Sequence, residues 1–188
     1  MSFPDLHPFT KRYTIPFMEA LSNRTTRRAA LKACFVTAIP AAMSKALERP
    51  EPPLHFAAKT MDGERFTSDS LKGKVVLIEF WATWCQYCKR DEPAVESVIK
   101  DFEKEGLVVL AVDMGEPRRK VKKYLDENPR TSKVVLAEDT TLAAICEAKT
   151  YPLYVLLDRE GNVAGRQHGA AGESALRRLL GKAGLQEA

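Results

Sequence analysis

The stretch that decides the fold is residues 75–93, which read VVLIEFWATWCQYCKRDEP. Its first seven residues are almost all apolar, which is typical of a central strand buried on both faces. Two cysteines three positions apart follow, Cys85 and Cys88, and a helical segment continues beyond them. A buried strand that leads into a Cys-x-x-Cys pair at the start of a helix indicates a redox site.

The spacing of Cys85 and Cys88 explains why this pair suits disulfide chemistry. At the first turn of a helix both sulfurs lie within disulfide reach, and the unpaired N–H groups and positive dipole end point at Cys85. Thiols in such motifs have pKa values of roughly 3.5 to 7, against about 8.5 for a free cysteine. We therefore expect Cys85 to be the attacking thiolate and Cys88 to be the shielded thiol that resolves the mixed disulfide.

Glu79 interrupts the apolar run and is the second informative residue. If no cation lies beside it, burial should raise its pKa, and the carboxylate could then take the proton from Cys88 when that thiol attacks. The alternative is that Glu79 lies at the end of the strand and simply reaches water.

Residues 80–88, FWATWCQYC, resemble the thioredoxin superfamily, and within it the exported TlpA/ResA-like thiol-disulfide oxidoreductases. The resemblance extends from about residue 55 to residue 183. It implies an α/β thioredoxin-like fold with a central mixed β-sheet flanked by helices. It also places Glu79 at the family's buried acid and Tyr151-Pro152 at its cis-proline.

The resemblance further implies the residues of an active site. The catalytic group would be Cys85, Cys88 and Glu79, and the substrate-binding wall would be Trp84, Tyr151 and Pro152. In this arrangement Trp84 covers the sulfur pair, and the backbone of Tyr151 pairs with an extended substrate polypeptide.

The implied reaction is thiol-disulfide exchange. The Cys85 thiolate attacks a target disulfide, and Cys88, helped by Glu79, releases the reduced product. The partners would be disulfide-containing exported proteins, with apocytochrome c and copper-site proteins among the family's targets, and a membrane electron donor would re-reduce the pair. The resemblance implies no cofactor and no metal.

The direction of electron flow stays open at this stage. Gln86 and Tyr87 influence the reduction potential, but these residues alone do not separate a reductant from an oxidant. A periplasmic reductase is therefore the expected function, and an oxidase or isomerase is an alternative.

Two further classes remain as alternatives. A peroxiredoxin-like peroxidase shares the fold, but Cys85 follows Trp84 in a paired motif, whereas such enzymes attack peroxide from a Thr-x-x-Cys setting. A Cu(I)-binding chaperone could hold its metal between Cys85 and Cys88, because thiolates suit Cu(I). Copper chaperones of this fold, however, have a wider spacing between their cysteines and a dedicated histidine, and the Cys85/Cys88 pair does not resemble that pattern.

Charge and cysteine content argue against other classes. The net charge is +4, and residues 1–46 hold seven Lys and Arg against two Asp and Glu, so the rest of the chain carries −1. A nucleic-acid binder would carry its positive charge in the folded part. The three histidines are scattered and a second cysteine pair is absent, which excludes a zinc finger; four cysteines are too few for a disulfide scaffold. They are Cys34, Cys85, Cys88 and Cys146.

Residues 1–46 are predicted to be an N-terminal extension with an export signal. Arg27 and Arg28, followed by a short apolar run, resemble a twin-arginine signal, with Ala30 where phenylalanine is usual. Cleavage after Ala46 would release a periplasmic protein, whereas an uncleaved run would leave a membrane anchor or a weak membrane association. An amphipathic cytosolic extension is the alternative.

The remaining sequence predicts the domain itself. Residues 47–54 are proline-rich and are predicted to be a linker, and residues 55–188 are predicted to be the thioredoxin-like domain. An Asp-Gly pair at residues 62–63 predicts an N-terminal β-hairpin. Further patterns predict strands at 107–113, 134–137, 153–157 and 162–166 and helices up to about 105, at 118–128 and at 173–183.

Two features of the domain have ordinary structural explanations. Cys146 lies on the apolar face of a short helix, so it is predicted to be a core residue; a third redox role is the alternative, because Cys146 lies only six residues before Pro152. The basic run at residues 118–123 is predicted to be a solvated helix face; docking of an acidic redox partner is the alternative.

Overall fold

The elements of the fold follow the apolar and turn pattern of the sequence. The computed structural model describes residue 51 and residues 53–186. In chain order the elements are β1 (Ala57–Thr60), β2 (Arg65–Thr67), β3 (Val75–Trp81), α1 (Gln86–Phe102), β4 (Leu107–Asp113), α2 (Arg118–Glu127), β5 (Lys133–Thr140), α3 (Leu142–Ile145), β6 (Leu153–Leu157), β7 (Val163–His168) and α4 (Gly172–Gly181).

The strands form one mixed sheet in the order β2-β1-β5-β4-β3-β6-β7. Strands β3, β4 and β5 run parallel to one another, and every other neighbouring pair is antiparallel. The β1–β2 pair is the predicted N-terminal hairpin. The predicted thioredoxin-like α/β fold is confirmed.

Strand β3 lies inside the sheet and is buried along its whole length. Successive side chains of a strand point to opposite faces. Val76 and Ile78 pack with α3 and the segment before β1, whereas Val75 and Leu77 pack with α1 and α4. Glu79 therefore points to the face that α1 covers, and this placement puts its carboxylate beneath the helix that carries the second cysteine.

A buried carboxylate joins α1 to the start of α4. Asp91 accepts hydrogen bonds from the Tyr154 hydroxyl at 3.1 Å and from the backbone N–H groups of Ala171 at 2.5 Å and Gly172 at 3.2 Å. A carboxylate at the N-terminus of a helix satisfies unpaired donors and complements the dipole. These bonds fix α4 against α1 on one face of the sheet.

The first described residues already contact the domain. Glu51 forms a β-bridge with Val163, and the N–H of Leu54, a buried residue, donates to the carbonyl of Gly161. The predicted linker at residues 47–54 thus touches the β6–β7 hairpin at its C-terminal end. Residues 1–50, with the predicted export signal, lie outside the described residues. Within the described part of the chain, no helix has the length and apolar character needed to cross a membrane.

Helix α2 has an inner side of apolar residues and an outer side that carries charged residues. Val121 is buried, and Tyr124 and Leu125 pack against the cluster that contains the two cysteines of the motif. On the outer side Lys122 forms an exposed ion pair with Asp126 at 3.0 Å. The basic run therefore includes a solvated face close to the Cys-x-x-Cys motif.

Candidate active site

The two cysteines of the motif form a disulfide at the N-terminus of α1. Cys85 is the N-cap residue, Cys88 lies in the first turn, and their Cα atoms are 5.3 Å apart. Both residues are buried, in one apolar cluster with Trp81 and Ala82. The structure therefore represents the oxidised form of the redox pair.

The backbone around Cys85 is arranged to stabilise a thiolate once the disulfide is reduced. The N–H of Cys88 donates to the sulfur of Cys85 at 3.2 Å, and the N–H of Cys85 donates to the carbonyl of Ala82 at 3.0 Å. Two cations follow the motif: Lys89 lies over the Tyr124 ring, and Arg90 lies over a neighbouring aromatic ring. An N–H group at the start of a helix and the positive end of the helix dipole favour the thiolate form of a cysteine in this position.

Aromatic side chains form an exposed rim beside the disulfide. Trp84 and Tyr87 are 61% and 60% exposed. The Trp84 ring meets the Tyr151 ring edge-on, with 6.1 Å between centroids, and the Tyr151–Pro152 peptide bond is cis. The structure thus brings Trp84 and Tyr151 together beside the motif. At 61% exposure Trp84 lies open to solvent, so it is available to a partner protein.

Glu79 has a cation beside it, so the condition stated for its raised pKa is not met. Nη2 of Arg130 lies 2.6 Å from Oε2 of Glu79, and both side chains are almost completely buried. The Arg130 guanidinium also lies over the Trp81 ring, 4.6 Å from its centroid, and its Nε is 3.3 Å from Oε1 of Glu92. Glu79 is fully buried, so the alternative in which it reaches water is wrong.

The environment of Glu79 has opposing effects on its pKa. Burial raises the pKa, and the guanidinium of Arg130 lowers it without cancelling the rise. Within the described part of the chain, Oε1 of Glu79 has no hydrogen-bond partner, so one oxygen of the carboxylate is free to accept a proton. The Glu79–Arg130 pair therefore holds a carboxylate with one unpartnered oxygen on the face of the sheet that α1 covers.

A second group of buried acids lies next to the loop before Cys85, and sequence reasoning missed it. Glu116 accepts two hydrogen bonds from Thr83, from N–H to Oε2 at 2.5 Å and from Oγ1 to Oε1 at 2.8 Å. Asp113, which is fully buried, accepts a hydrogen bond at 2.9 Å from the N–H of Glu116. One feature of the sequence could have revealed this group: Asp113 lies at the carboxyl end of an apolar strand that runs parallel to β3, where side chains of neighbouring strands converge.

The free cysteine of the domain is a core residue, as predicted. Cys146 is buried in the cluster with Leu142 and Val155, on the other side of the sheet from α1. Burial raises the pKa of its thiol to about 11. Cys146 is therefore protonated and shielded at neutral pH.

Residues 51–177 match the model of the AhpC/TSA family. The chain belongs to the AhpC/TSA family. This chain is 30% identical over 122 residues to the thiol-disulfide oxidoreductase ResA of Bacillus subtilis. The aligned region covers 65% of this chain and 68% of that protein. It is 31% identical over 109 residues to the thioredoxin-like protein YneN of Bacillus subtilis, and this alignment covers 56% of this chain and 63% of that protein.

A solved structure shares the fold of this family member. The thioredoxin-family thiol:disulfide interchange protein of Chlorobium tepidum superimposes with a TM-score of 0.63 at 28% identity, over 72% of this chain and 97% of that chain. Together with the Cys85–Cys88 disulfide, these matches identify a thiol-disulfide oxidoreductase of thioredoxin-like fold.

Proposed function

We propose that this protein is a periplasmic reductase that transfers two electrons from the Cys85/Cys88 dithiol to disulfides of exported proteins. The observation that carries the proposal is the sulfur of Cys85 at the N-terminus of α1, bonded to the N–H of Cys88 beside an exposed aromatic rim. A thiolate in that position is both stabilised by the helix and close to a surface that a polypeptide can reach.

The exchange has two steps. The Cys85 thiolate attacks one sulfur of the target disulfide, which forms a mixed disulfide and releases one target thiolate, and that thiolate takes a proton from solvent. Cys88 then loses its proton to the Glu79 carboxylate and attacks the sulfur of Cys85. This second step releases the other target thiolate and leaves the Cys85–Cys88 disulfide.

The substrate would lie against Trp84, Tyr151 and the backbone beside Pro152. The exposed Trp84 ring offers apolar contact area, and its edge-on contact with Tyr151 brings the two side chains into one surface. An extended segment of the target would pair with the backbone beside Pro152, which holds the target sulfur near Cys85. A membrane electron donor would return two electrons to the disulfide after each turnover.

A trapping experiment tests the proposed reaction. The reduced Cys88→Ser variant is mixed with a peptide that carries one disulfide, and the products are identified by mass spectrometry. A mixed disulfide through Cys85 is expected to accumulate, because the resolving thiol is absent. The matched Cys85→Ser variant should trap none. Equal trapping by both variants, or consumption of hydrogen peroxide in place of the peptide disulfide, would overturn the proposal.

The direction of transfer is tested by the reduction potential of the Cys85/Cys88 couple. A reductase requires a potential well below about −180 mV, the value of protein disulfide isomerase, whereas a strong oxidant lies near about −120 mV. Equilibration with glutathione buffers of known ratio measures this quantity. A value at the oxidising end of this range would assign the protein to the oxidases.

The proposed periplasmic location rests on the twin-arginine-like signal within residues 1–46, in which Arg27 and Arg28 precede a short apolar run. We expect the double variant Arg27→Lys, Arg28→Lys to keep the protein in the cytosol, because that export route reads both arginines. The matched control is Arg24→Lys, which should leave export unchanged. Fractionation of a C-terminally tagged chain measures the distribution. Wild-type protein confined to the cytosol would contradict the proposed location.

A further inference from the structure

We propose that the carboxyl groups of Asp113 and Glu116 together position the loop carrying Trp84 and Cys85 while Asp113 holds a proton, so that loss of this proton slows attack by Cys85. In this reading Asp113 and Glu116 are positioning residues that act through Thr83. The inference rests on the proposed function, because it concerns the rate of the same thiol-disulfide exchange.

The contact between Glu116 and Thr83 holds the loop directly before the nucleophile. Both oxygens of the Glu116 carboxylate are used, since Thr83 donates its N–H at 2.5 Å and its hydroxyl at 2.8 Å. Thr83 is buried and lies two residues before Cys85. A carboxylate that accepts two bonds from one residue fixes both the position and the orientation of that residue.

Asp113 holds Glu116 in the place from which it reaches Thr83. Oδ1 of Asp113 accepts the backbone N–H of Glu116 at 2.9 Å, and the chain between them turns at Gly115, which has φ of +87°. The same turn is tied to β3, because the N–H of Met114 donates to the carbonyl of Trp81 at 3.0 Å. The end of β4 and the loop after β3 therefore move as one unit.

The second oxygen of Asp113 explains why this residue binds a proton. Asp113 is fully buried between Trp81 of β3 and Leu136 of β5, its neighbours across the sheet, and both are apolar. Among the described residues, Oδ2 of Asp113 has no hydrogen-bond partner. A buried carboxylate oxygen without a donor is costly, and protonation removes that cost by neutralising the group.

The charges around the pair keep the proton on Asp113. Burial and the facing Glu116 carboxylate raise the pKa of Asp113 to about 7, although the Glu116 N–H and the Lys120 ammonium oppose the rise. Burial also raises the pKa of Glu116, but hydrogen bonds from Lys120 and Thr83 outweigh that effect and lower it overall. Lys120 lies 2.5 Å from Oε1 of Glu116. Below neutral pH the pair therefore carries one proton and one negative charge.

Loss of that proton changes the forces on the loop. Above about pH 7 Asp113 and Glu116 are both ionised, and the like charges of two neighbouring carboxylates repel. The group that can move is Glu116, because Asp113 is fixed within the sheet. Displacement of Glu116 loosens its hold on Thr83, and the nucleophile two residues later becomes less well aligned.

The test measures single-turnover exchange of the reduced protein with a one-disulfide peptide from pH 5.5 to pH 9. The fraction of Cys85 thiolate is measured separately by ultraviolet absorbance in the Cys88→Ser background, and each rate is divided by that fraction. We expect the wild-type rate per thiolate to fall about threefold to tenfold as pH rises through 7, because misaligned reactants react more slowly. For Asp113→Asn the rate per thiolate should be flat.

The control variant is Asp126→Asn, which removes an exposed carboxylate of α2 that pairs with Lys122. It should keep the wild-type pH profile. A purely structural role of Asp113 would lower the rate by one factor at every pH, so it would leave the inflection in place. That outcome would overturn the inference.

A second measurement uses the wild-type chain and does not depend on the folding of any variant. Carbon-13 carboxyl shifts of aspartate-labelled protein should show one aspartate that titrates near pH 7. Titration of every aspartate near its ordinary value would overturn the inference. Wild-type protein that exchanges no disulfide at any pH would instead contradict the proposed function, so the two failures are distinguishable.

Discussion

Glu79 on β3 and Asp113 on β4 are both fully buried acids, yet the fold stabilises them in different ways. The two strands are neighbours: Glu79 pairs with Ala111, and Asp113 pairs with Trp81 two residues further along. At Glu79 a guanidinium, also buried, supplies the compensating charge. At Asp113 the neighbouring Lys120 pairs with Glu116 instead, and burial raises the pKa of Asp113 to about 7, which favours its neutral, protonated form.

The comparison shows that burial alone does not determine the charge of a carboxyl group. Burial raises the pKa of both acids. The opposing contribution comes from Arg130 in the first case and mainly from a backbone N–H in the second. A neighbouring cation favours the charged form, whereas a neighbouring carboxylate favours the protonated form.

The largest expected effect is that of Arg130→Met, which removes the cation from the first site. It leaves Glu79 buried and unpaired, so we expect the free energy of unfolding at pH 7 to fall by about 3–5 kcal/mol. Denaturant titration measures the loss, and the double variant with Glu79→Gln should recover much of it. The control is Arg118→Met, whose ion pair with Asp139 has the same 2.6 Å length but is partly exposed.

That control should cost less than about 1 kcal/mol, because exposed ion pairs contribute little. Similar losses in Arg130→Met and Arg118→Met would mean that the buried pair is not what holds Glu79 in the core.

The second effect is kinetic and concerns Glu79 itself. Glu79→Gln keeps an oxygen beside Arg130 but removes the proton acceptor, so resolution of the mixed disulfide should slow about a hundredfold. The measurement is the decay of a preformed mixed disulfide between Cys85 and a peptide thiol. The exposed Glu105→Gln is the matched control and should resolve at the wild-type rate. An unchanged rate in Glu79→Gln would assign Glu79 a structural role only.

The third effect concerns the pH dependence of stability at the second site. The pKa of Asp113 rises from an ordinary 3.8 to about 7 on folding, so between these values the folded protein binds a proton that the unfolded chain has released. This contribution to stability is therefore complete below pH 3.8 and is lost as pH rises to about 7. The Asp113→Asn variant has no group that titrates at this position, so it does not lose this stability as pH rises. We therefore expect the difference in free energy of unfolding between the variant and wild type to shift in favour of the variant by on the order of 2 kcal/mol from pH 4.5 to pH 8.

Denaturant titrations at both pH values measure that difference, with Asp126→Asn as the control that should show none. A constant difference between Asp113→Asn and wild type would remove the distinction between the two buried acids.

The smallest effect comes from Lys120→Met, which removes the exposed cation of the second site. Lys120 contacts Glu116 as closely as Arg130 contacts Glu79, but its side chain is largely in water. The loss of stability should be under about 1 kcal/mol. Because Lys120 lowers the pKa of Asp113, its removal should move the Asp113 titration to higher pH. A downward movement would contradict the assigned charge distribution.

The sequence predicted the parts of the site that depend on local pattern. The apolar run of β3, the cysteine spacing and the helix after Cys88 are all contained in residues 75–93, so their geometry follows from short-range rules. The resemblance added Pro152 and the order of the elements over the rest of the domain. These predictions needed no knowledge of which loops meet in space.

The missed residues all depend on contacts between distant parts of the chain. Arg130 lies in the loop after α2, 51 positions from Glu79, and nothing in its own neighbourhood points to β3. Glu116 lies 33 positions from Thr83, in the turn after β4. Both residues are charged and sit in loops, where the usual expectation is a solvated side chain. Only the order β5-β4-β3 in the sheet brings the loop with Arg130 to Glu79 and the turn with Glu116 to Thr83.

The two tryptophans of the chain differ strongly in their surroundings, and this gives the protein two separate optical signals. Trp81 is buried in the same apolar cluster as the disulfide, whereas Trp84 stands in solvent at the rim. Indole fluorescence shifts to longer wavelength in water and is quenched by a nearby disulfide. A Trp84→Phe variant would therefore keep only the buried Trp81, whose fluorescence intensity should follow the redox state of the cysteine pair. A Trp81→Phe variant would keep only Trp84 at the surface, and a bound polypeptide should shift its emission wavelength.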